Sequence, residues 1–189
     1  MAKDFILASS SKQRYALLEQ IGYLPELTEA ADIDETPRRF EKPSAYVKRM
    51  ALEKARHVAE KHSGKVVLAS DTIIVSGAKI IQKAHSEAEQ EKVMRMLSGK
   101  AHHVLSGVCV IDKNGRASVR CVDTRIVMKR LSEEELKSYV AGHEWEGCAG
   151  YRIEGVLGAY VKKIIGSYSG VIGLPLFETK NMLNSAGVK

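Results

Sequence analysis

The sequence is short of everything that would make it a disulfide-stapled, zinc-bound or membrane-spanning protein. Its three cysteines, Cys109, Cys121 and Cys148, are odd in number and show no CxxC spacing, which argues against a disulfide framework or a zinc ribbon and for reduced thiols. The six histidines supply no HExxH pair on one helical face. The longest apolar run near the start, Phe5–Ala8, is far too short for a signal peptide or a membrane span. These absences predict a cytoplasmic protein with no membrane partner. No internal repeat, low-complexity tract or linker divides the 189 residues, so a single unit over 1–189 is expected. No long Lys/Arg run or aromatic–basic interleaving appears either. The net charge of +6 is dispersed over residues as far apart as Lys12, Lys54, Lys83, Lys100 and Lys129, which suits a small polyanion such as a nucleotide at least as well as nucleic acid.

What is present is an alternation of strands and helices. Phe5–Ala8 reads as a buried strand, followed by Ser11 as the N-cap of a helix that carries Leu17, Leu18 and Ile21 and stops at Gly22. Pro43-Ser44 opens a second helix with Val47, Met50, Ala51, Ala55 and Val58 at helical spacing. Val66–Ala69 is a second buried strand, and Ile73–Val75 and Ile80-Ile81 bracket a turn. Ser86 with Glu89, and Ser132 with Glu135, read as capping boxes of two further helices, the first with a stripe of Val93, Met96 and Leu97. Lys113-Asn114-Gly115 between two β-rich runs signals a hairpin. Val156–Ile165 reads as a strand, Gly166–Gly173 as a loop, and Pro175 as the start of a last helix carrying Leu176, Phe177, Met182 and Leu183. The expected fold class is α/β, a mixed twisted sheet flanked by helices, two-lobed around a central cleft.

Charged and hydroxyl residues gather at the edges of the apolar segments. Ser9, Ser10 and Ser11 join a strand to a helix N-terminus, where free N–H groups and the helix dipole favour an anion, and Arg14 adds a two-pronged donor. Alternatively, Ser11 merely caps the helix and Arg14 is solvated. Lys54 falls in the apolar stripe of its own helix and must either snorkel or point into a polar site. Asp71, in Ser70-Asp71-Thr72, is delivered by four apolar residues to the end of an interior strand, where a carboxylate is costly unless paired or on a metal. Asp34-Glu35 offers two more carboxylates, or only a solvated turn. Several carboxylates facing phosphate-binding cations suit Mg²⁺, which shares oxygen ligands with substrate phosphates. Trp145, Tyr151 and Tyr168 could stack on a base, although lone aromatics more often belong to the core.

Taken in order, Leu7-Ala8-Ser9-Ser10-Ser11-x-x-Arg14, Asp34-Glu35, Glu53-Lys54-Ala55, Ser70-Asp71-Thr72, Lys83, Leu97-Ser98-Gly99, Ala149-Gly150, Glu154-Gly155, Gly166-Ser167-Tyr168 and Val171–Leu176 span nearly the whole chain. In this the sequence resembles the Maf family of nucleoside triphosphate pyrophosphatases, some of them linked to inhibition of septum formation. The resemblance implies a fold related to the inosine-triphosphate pyrophosphatases. It also implies hydrolysis of a nucleoside triphosphate to a monophosphate and pyrophosphate with a divalent cation, Mg²⁺ or Mn²⁺. By position, Asp71 would be the proton acceptor and Ser9, Arg14, Lys54 and Lys83 would hold phosphates. Glu35 and Asp71 would hold or orient metal and water, and Ser11, Gln13, Thr72 and Glu154 would contact substrate. A homodimer is compatible with the resemblance.

The chain departs from the family pattern at Gln13, where Trp or Arg is usual, and at Ala84, where Pro is usual. Thr72 and Gly166-Ser167-Tyr168 resemble the dTTP/UTP branch, whereas Glu154 resembles the branch acting on 7-methyl-GTP, since a carboxylate accepts from both guanine donors. The expected substrate is a pyrimidine triphosphate, with 7-methyl-GTP as the rival. A non-catalytic binder of nucleic acid or of a division protein is the reading from another class.

Overall fold

The computed structural model describes residues 3–189. In chain order the elements are β1 (Lys3–Leu7), α1 (Lys12–Gln20), β2 (Pro25–Thr28), α2 (Pro43–Ala59), β3 (Val66–Ser76) and β4 (Lys79–Ile81). They continue with α3 (Glu87–Leu97), β5 (Ala101–Ile111), β6 (Ala117–Met128), α4 (Glu133–Ala141), a 3-10 turn (Val156–Tyr160), β7 (Val161–Ile165), α5 (Tyr168–Ile172) and α6 (Leu176–Ser185). One mixed sheet runs β2-β1-β3-β5-β6-β7, with β4 paired to β3. β1 is parallel to both of its neighbours, and every other pairing is antiparallel.

The central strand β3 organises the molecule, because its side chains alternate between two covered faces. Val67, Ala69, Ile73 and Val75 pack towards α2, against Ala51, Ala55 and Val58 at one end and Tyr46, Val47 and Met50 at the other. Val66 and Leu68 face the opposite way, into a cluster with Leu17, Leu18, Leu174 and Leu183. Ile74, also on that side, belongs to a separate cluster with Met94, Leu97, Ile126 and Tyr139. One face therefore carries a single long helix, and the other carries two separate groups of helices.

The same strand has a notch along one edge. β1 pairs with it only at Val66–Leu68 and β4 only at Ile74–Ser76. Residues 69–73 between them have β5 on one side and no strand on the other among the described residues. Ser70-Asp71-Thr72 sits in this notch, mid-strand. That corrects the expectation that Asp71 ends a strand: the strand continues because Ser70 and Thr72 hydroxyls find partners across the sheet, and the element that ends beside Asp71 is β1.

Other elements differ from expectation for local reasons. Ser86 caps α3 by accepting from Glu89 N–H, but Glu89 carboxylate accepts from His85 N–H rather than closing a capping box. The buried residues of α3 are Gln90, Met94 and Leu97, with Val93 and Met96 only partly covered. Ser132 and Glu135 do form the full box on α4. Half of Val156–Ile165 is a 3-10 turn, and Gly166–Gly173 folds as the short helix α5 with Ser167 as its cap. Phe177 is 77% exposed rather than buried. β2 lacks any apolar alternation, and its one buried residue is Pro25.

Gly107 of β5 pairs with Asp71 of β3, and here glycine is demanded by space. A methyl group on Gly107 would stand 2.2 Å from the Val47 carbonyl oxygen and 2.7 Å from its carbon. Both atoms belong to the α2 backbone, which cannot rotate away as a side chain would. Gly107→Ala is expected to lower unfolding stability by roughly 2–3 kcal/mol through overpacking. A urea midpoint unchanged from the parent would show that α2 is free to lift off the sheet.

Candidate active site

Helix α2 and strand β3 meet at Lys54. It is 8% exposed within the apolar stripe of α2, and its ammonium donates to Asp71 Oδ1 at 2.7 Å and contacts Glu35 Oε1 at 2.9 Å. Asp71 points this way because it shares the α2 face of β3 with Ala69 and Ile73. Lys54 therefore does not snorkel to solvent; its stem is packed and its charge is paired. The remaining oxygen of each carboxylate takes no hydrogen bond among the described residues. Asp34, by contrast, faces solvent and accepts from Thr36 N–H at 2.9 Å in a local turn.

Opposite this group lies the link from β1 to α1. Ser11 caps α1 by accepting from Arg14 N–H, and its hydroxyl donates to Gln13 Oε1 at 3.2 Å. Ser9 Oγ accepts from Ser11 N–H at 3.2 Å and from Arg14 Nη1 at 3.1 Å. Arg14 Nε donates to the Gly173 carbonyl at 3.0 Å. Burial pushes the Arg14 pKa down, while the carboxylates of Asp71 and Glu35 push it back up. Cation and helix N-terminus thus face the same space from one side.

The Gly173 carbonyl is a meeting point. Besides Arg14 it accepts from Ser70 Oγ at 2.9 Å and Thr72 Oγ1 at 3.3 Å. Ser70 also reaches the Gly107 carbonyl at 2.8 Å, and Ser106 Oγ donates to the Gly170 carbonyl at 2.6 Å. Three elements distant in sequence are held in register by one acceptor, whose own backbone adopts φ 140°, a conformation that glycine takes at little cost.

The far wall is built by β4 and the segment after α4. Lys83 makes an isolated antiparallel bridge with Ala149; its side chain is exposed and forms no ion pair among the described residues. Tyr151 is 6% exposed and its hydroxyl contacts His102 Nε2 at 2.6 Å. Burial, and then the neighbouring His103, push the His102 pKa down to about 4, so the imidazole is neutral near pH 7. Trp145 is buried and donates to the Val140 carbonyl. Trp145 is therefore a core residue, Tyr151 is a core residue whose surface also lines the cleft, and Tyr168 is half exposed and lies outside the cleft lining.

A cleft of ≈ 710 Å³ opens between these walls. Ser9, Ser11, Gln13, Arg14, Glu35, Lys54, Asp71, Thr72, Lys83 and Glu154 all line it, although they come from six separate stretches of chain. Gln13 and Glu154 also border a shallower recess at its mouth, together with Lys12 and Arg152. Tyr46 and Arg152, which also line the cleft, carry no motif of their own in the sequence. Tyr46 had one available signal: with Met50 and Lys54 it repeats every fourth residue on one face of α2. Its hydroxyl donates to the Glu35 carbonyl at 2.8 Å. Burial, reinforced by Asp71 and Glu35, raises its pKa to about 12, so it remains a donor at neutral pH.

The donor set fits a divalent cation in one particular way. No group of three His, Cys, Asp or Glu side chains that could hold a metal occurs among the described residues. Two carboxylates with spare oxygens at one end of a cationic cleft suit Mg²⁺ or Mn²⁺ when phosphate oxygens complete the shell.

The sequence profile of the family described as Maf-like protein matches residues 4–186. The chain belongs to the Maf-like family. Among its relatives, the dTTP/UTP pyrophosphatase of Caulobacter vibrioides is 45% identical over 185 residues, covering 97% of this Maf-like chain and 96% of the relative. Those of Zymomonas mobilis and Sphingopyxis alaskensis, also named dTTP/UTP pyrophosphatase, are 44% and 46% identical over 188 and 184 residues. They cover 99% and 97% of this chain and 93% and 96% of the relatives. Among solved structures, a HAM1 protein from Coxiella burnetii aligns over 67% of this chain and 73% of its own, at 20% identity and a TM-score of 0.48. A dITP/XTP pyrophosphatase from Mycobacterium abscessus aligns over 69% and 74%, at 19% identity and 0.43. Likenesses this partial add nothing to the geometry of the Maf-like cleft.

A buried charge pair is costly to break and cheap to replace whole. Lys54→Met, which strands Asp71, is expected to lose roughly 3 kcal/mol of stability, and Lys54→Met/Asp71→Leu to regain most of it. Urea unfolding of both variants reads this directly. A loss under about 1 kcal/mol in the single variant, the level of an exposed pair, would mean that the two charges are hydrated.

Proposed function

We propose that the chain hydrolyses dTTP and UTP to the nucleoside monophosphate and pyrophosphate in this cleft. The observation that carries the proposal is the buried Lys54 ammonium joining Asp71 and Glu35 directly across from the Ser9–Arg14 helix terminus. It is supported by relatives that align end to end and bear the name dTTP/UTP pyrophosphatase. In this reading the triphosphate lies between the two sets, with Ser9, Ser11, Arg14, Lys54 and Lys83 opposing its negative charge. A Mg²⁺ or Mn²⁺ held by Asp71, Glu35 and phosphate oxygens would offset charge on the reacting phosphates.

Asp71 takes a proton from the attacking water. The water oxygen bonds to the α-phosphorus, the bond to the bridging oxygen breaks, and pyrophosphate departs with its charge spread over the cations. Positioning and electrostatics do the work, and no covalent intermediate is needed. Gln13, Thr72 and Glu154 contact the sugar and base, with the Glu154 carboxylate able to accept from the N3–H of thymine or uracil. The three cysteines are free and the substrates are metabolic nucleotides, which together favour the cytoplasm as the site of action.

Pyrophosphate release with Mg²⁺ is expected from UTP and dTTP, and to be at least about 100-fold slower in Asp71→Asn, the scale of a lost general base. The measurement is a panel of UTP, dTTP, CTP, 7-methyl-GTP and the purine triphosphates. Preference for 7-methyl-GTP would assign Glu154 to guanine recognition. Folded protein that turns over none of them would leave a binding role.

A further inference from the structure

Glu35 reaches Lys54 from an unusual support. It lies in the 14 irregular residues from Glu29 to Lys42, between β2 and α2. Ordering each such residue costs about 1–2 kcal/mol of conformational entropy, and long irregular loops in compact domains are commonly functional. Something must hold this one, and the structure shows what does.

Arg49 of α2 grips the loop at two points. Its Nε and one Nη donate to the two oxygens of Glu41, both at 2.7 Å, in the forked geometry of a bidentate guanidinium–carboxylate pair. The same Nη donates to the carbonyl of Thr36, the residue after Glu35, at 3.2 Å. The other Nη holds Glu53 Oε2 at 3.1 Å, which keeps the guanidinium against α2. Glu41 meanwhile closes the loop on itself: its Oε2 accepts from Arg38 N–H at 3.0 Å, and its N–H donates to the Arg38 carbonyl at 3.0 Å. The turn so closed holds Phe40 at φ 61°, a left-handed conformation that costs a non-glycine residue about 1–2 kcal/mol. Although near the surface, the Arg49 and Glu41 side chains are only 13% and 10% exposed.

We propose that Arg49 and Glu41 form a latch that sets the Glu35 carboxylate against Lys54 and Asp71, and that both are positioning residues for the carboxylate end of the cleft. The hydrogen bond from Arg49 holds the Glu41 pKa down at about 2, from an ordinary 4.5. A depressed carboxylate stabilises the fold above its unfolded pKa and loses that contribution only as pH falls from about 4.5 towards about 2. The latch is therefore shut throughout the neutral range, and the pH dependence of turnover belongs to other groups. What the inference says about turnover rests on the pyrophosphatase reading; what it says about the loop does not.

The test uses Arg49→Lys, which keeps the charge and removes the fork, and Glu41→Gln, which keeps the shape and removes the charge. Each is expected to lower kcat for UTP and to weaken apparent Mn²⁺ affinity, read from the Mn²⁺ concentration that half-saturates turnover, by about 10-fold or more, the scale of an outer-shell ligand. KM for UTP should move less than about 3-fold, because the phosphate-binding cations are untouched. In a Glu35→Gln background the same changes should cost less than about 2-fold, since residues acting through one another are not additive. Hydrogen exchange should show residues 33–42 losing protection while β3 and β5 keep theirs.

Full kcat and full Mn²⁺ affinity in both variants, or an undiminished further loss in the Glu35→Gln background, would overturn the latch. So would unchanged exchange over residues 33–42, a readout that stands even if the parent protein hydrolyses no nucleotide. In that case the pyrophosphatase reading fails by itself, and the loop is judged on exchange alone.

Discussion

The arrangement of this molecule depends on keeping one ammonium group out of water without leaving it alone. Lys54 occupies a position in α2 that its neighbours Met50, Ala51, Ala55 and Val58 mark as core, and a lone cation there would be prohibitively unstable. It is tolerated because two carboxylates from elsewhere in the chain converge on it. That single requirement ties the register of β3, the depth at which α2 lies on the sheet and the path of the loop from β2 into one solution. Gly107 belongs to the same constraint, since any side chain there would lift α2 and draw the amine away from Asp71.

The notch in the sheet explains why this buried pair is also reachable. Had β1 continued for another turn of pairing, Asp71 would have been enclosed between two strands. Because β1 stops at Leu7 and β4 begins its pairing only at Ile74, the middle of the central strand β3 is open along one edge. The chain leaving β1 turns at once into the serines and the cap of α1, so anion-binding groups flank the opening. Rigidity and access, usually opposed, are obtained at the same residue.

Much of this was legible in the sequence, for identifiable reasons. Helical spacing was enough to place Lys54 in an apolar stripe, and the pattern Ser9–Arg14 was enough to mark a helix terminus beside a strand. The position of Asp71 within its strand was not legible, because an apolar run followed by Ser-Asp-Thr looks the same whether the strand ends there or its neighbour does. Register and edge gaps are decided by pairing partners far along the chain, such as Leu7 and Leu68. The exposure of Phe177 and the 3-10 turn at Val156–Tyr160 were missed because local spacing cannot tell which side another element will cover. Gly173 drew notice only as the end of a loop and as part of a familial run; that its carbonyl would gather Arg14, Ser70 and Thr72 depends on the fold being complete. Arg49 was hidden for a different cause: a basic residue facing outwards from an amphipathic helix looks like any other solvated charge.

The Gly173 carbonyl has a consequence for the life history of the protein. Arg14 lies 159 residues before it, so the acceptor that orients the guanidinium is synthesised long after the guanidinium itself. A ribosome-bound chain that has already made β1 through β6 would own almost every cleft side chain and still lack the acceptor that aligns them. Alignment of the cleft therefore waits on the docking of the segment that carries Gly173, because Arg14, Ser70 and Thr72 all donate to its carbonyl.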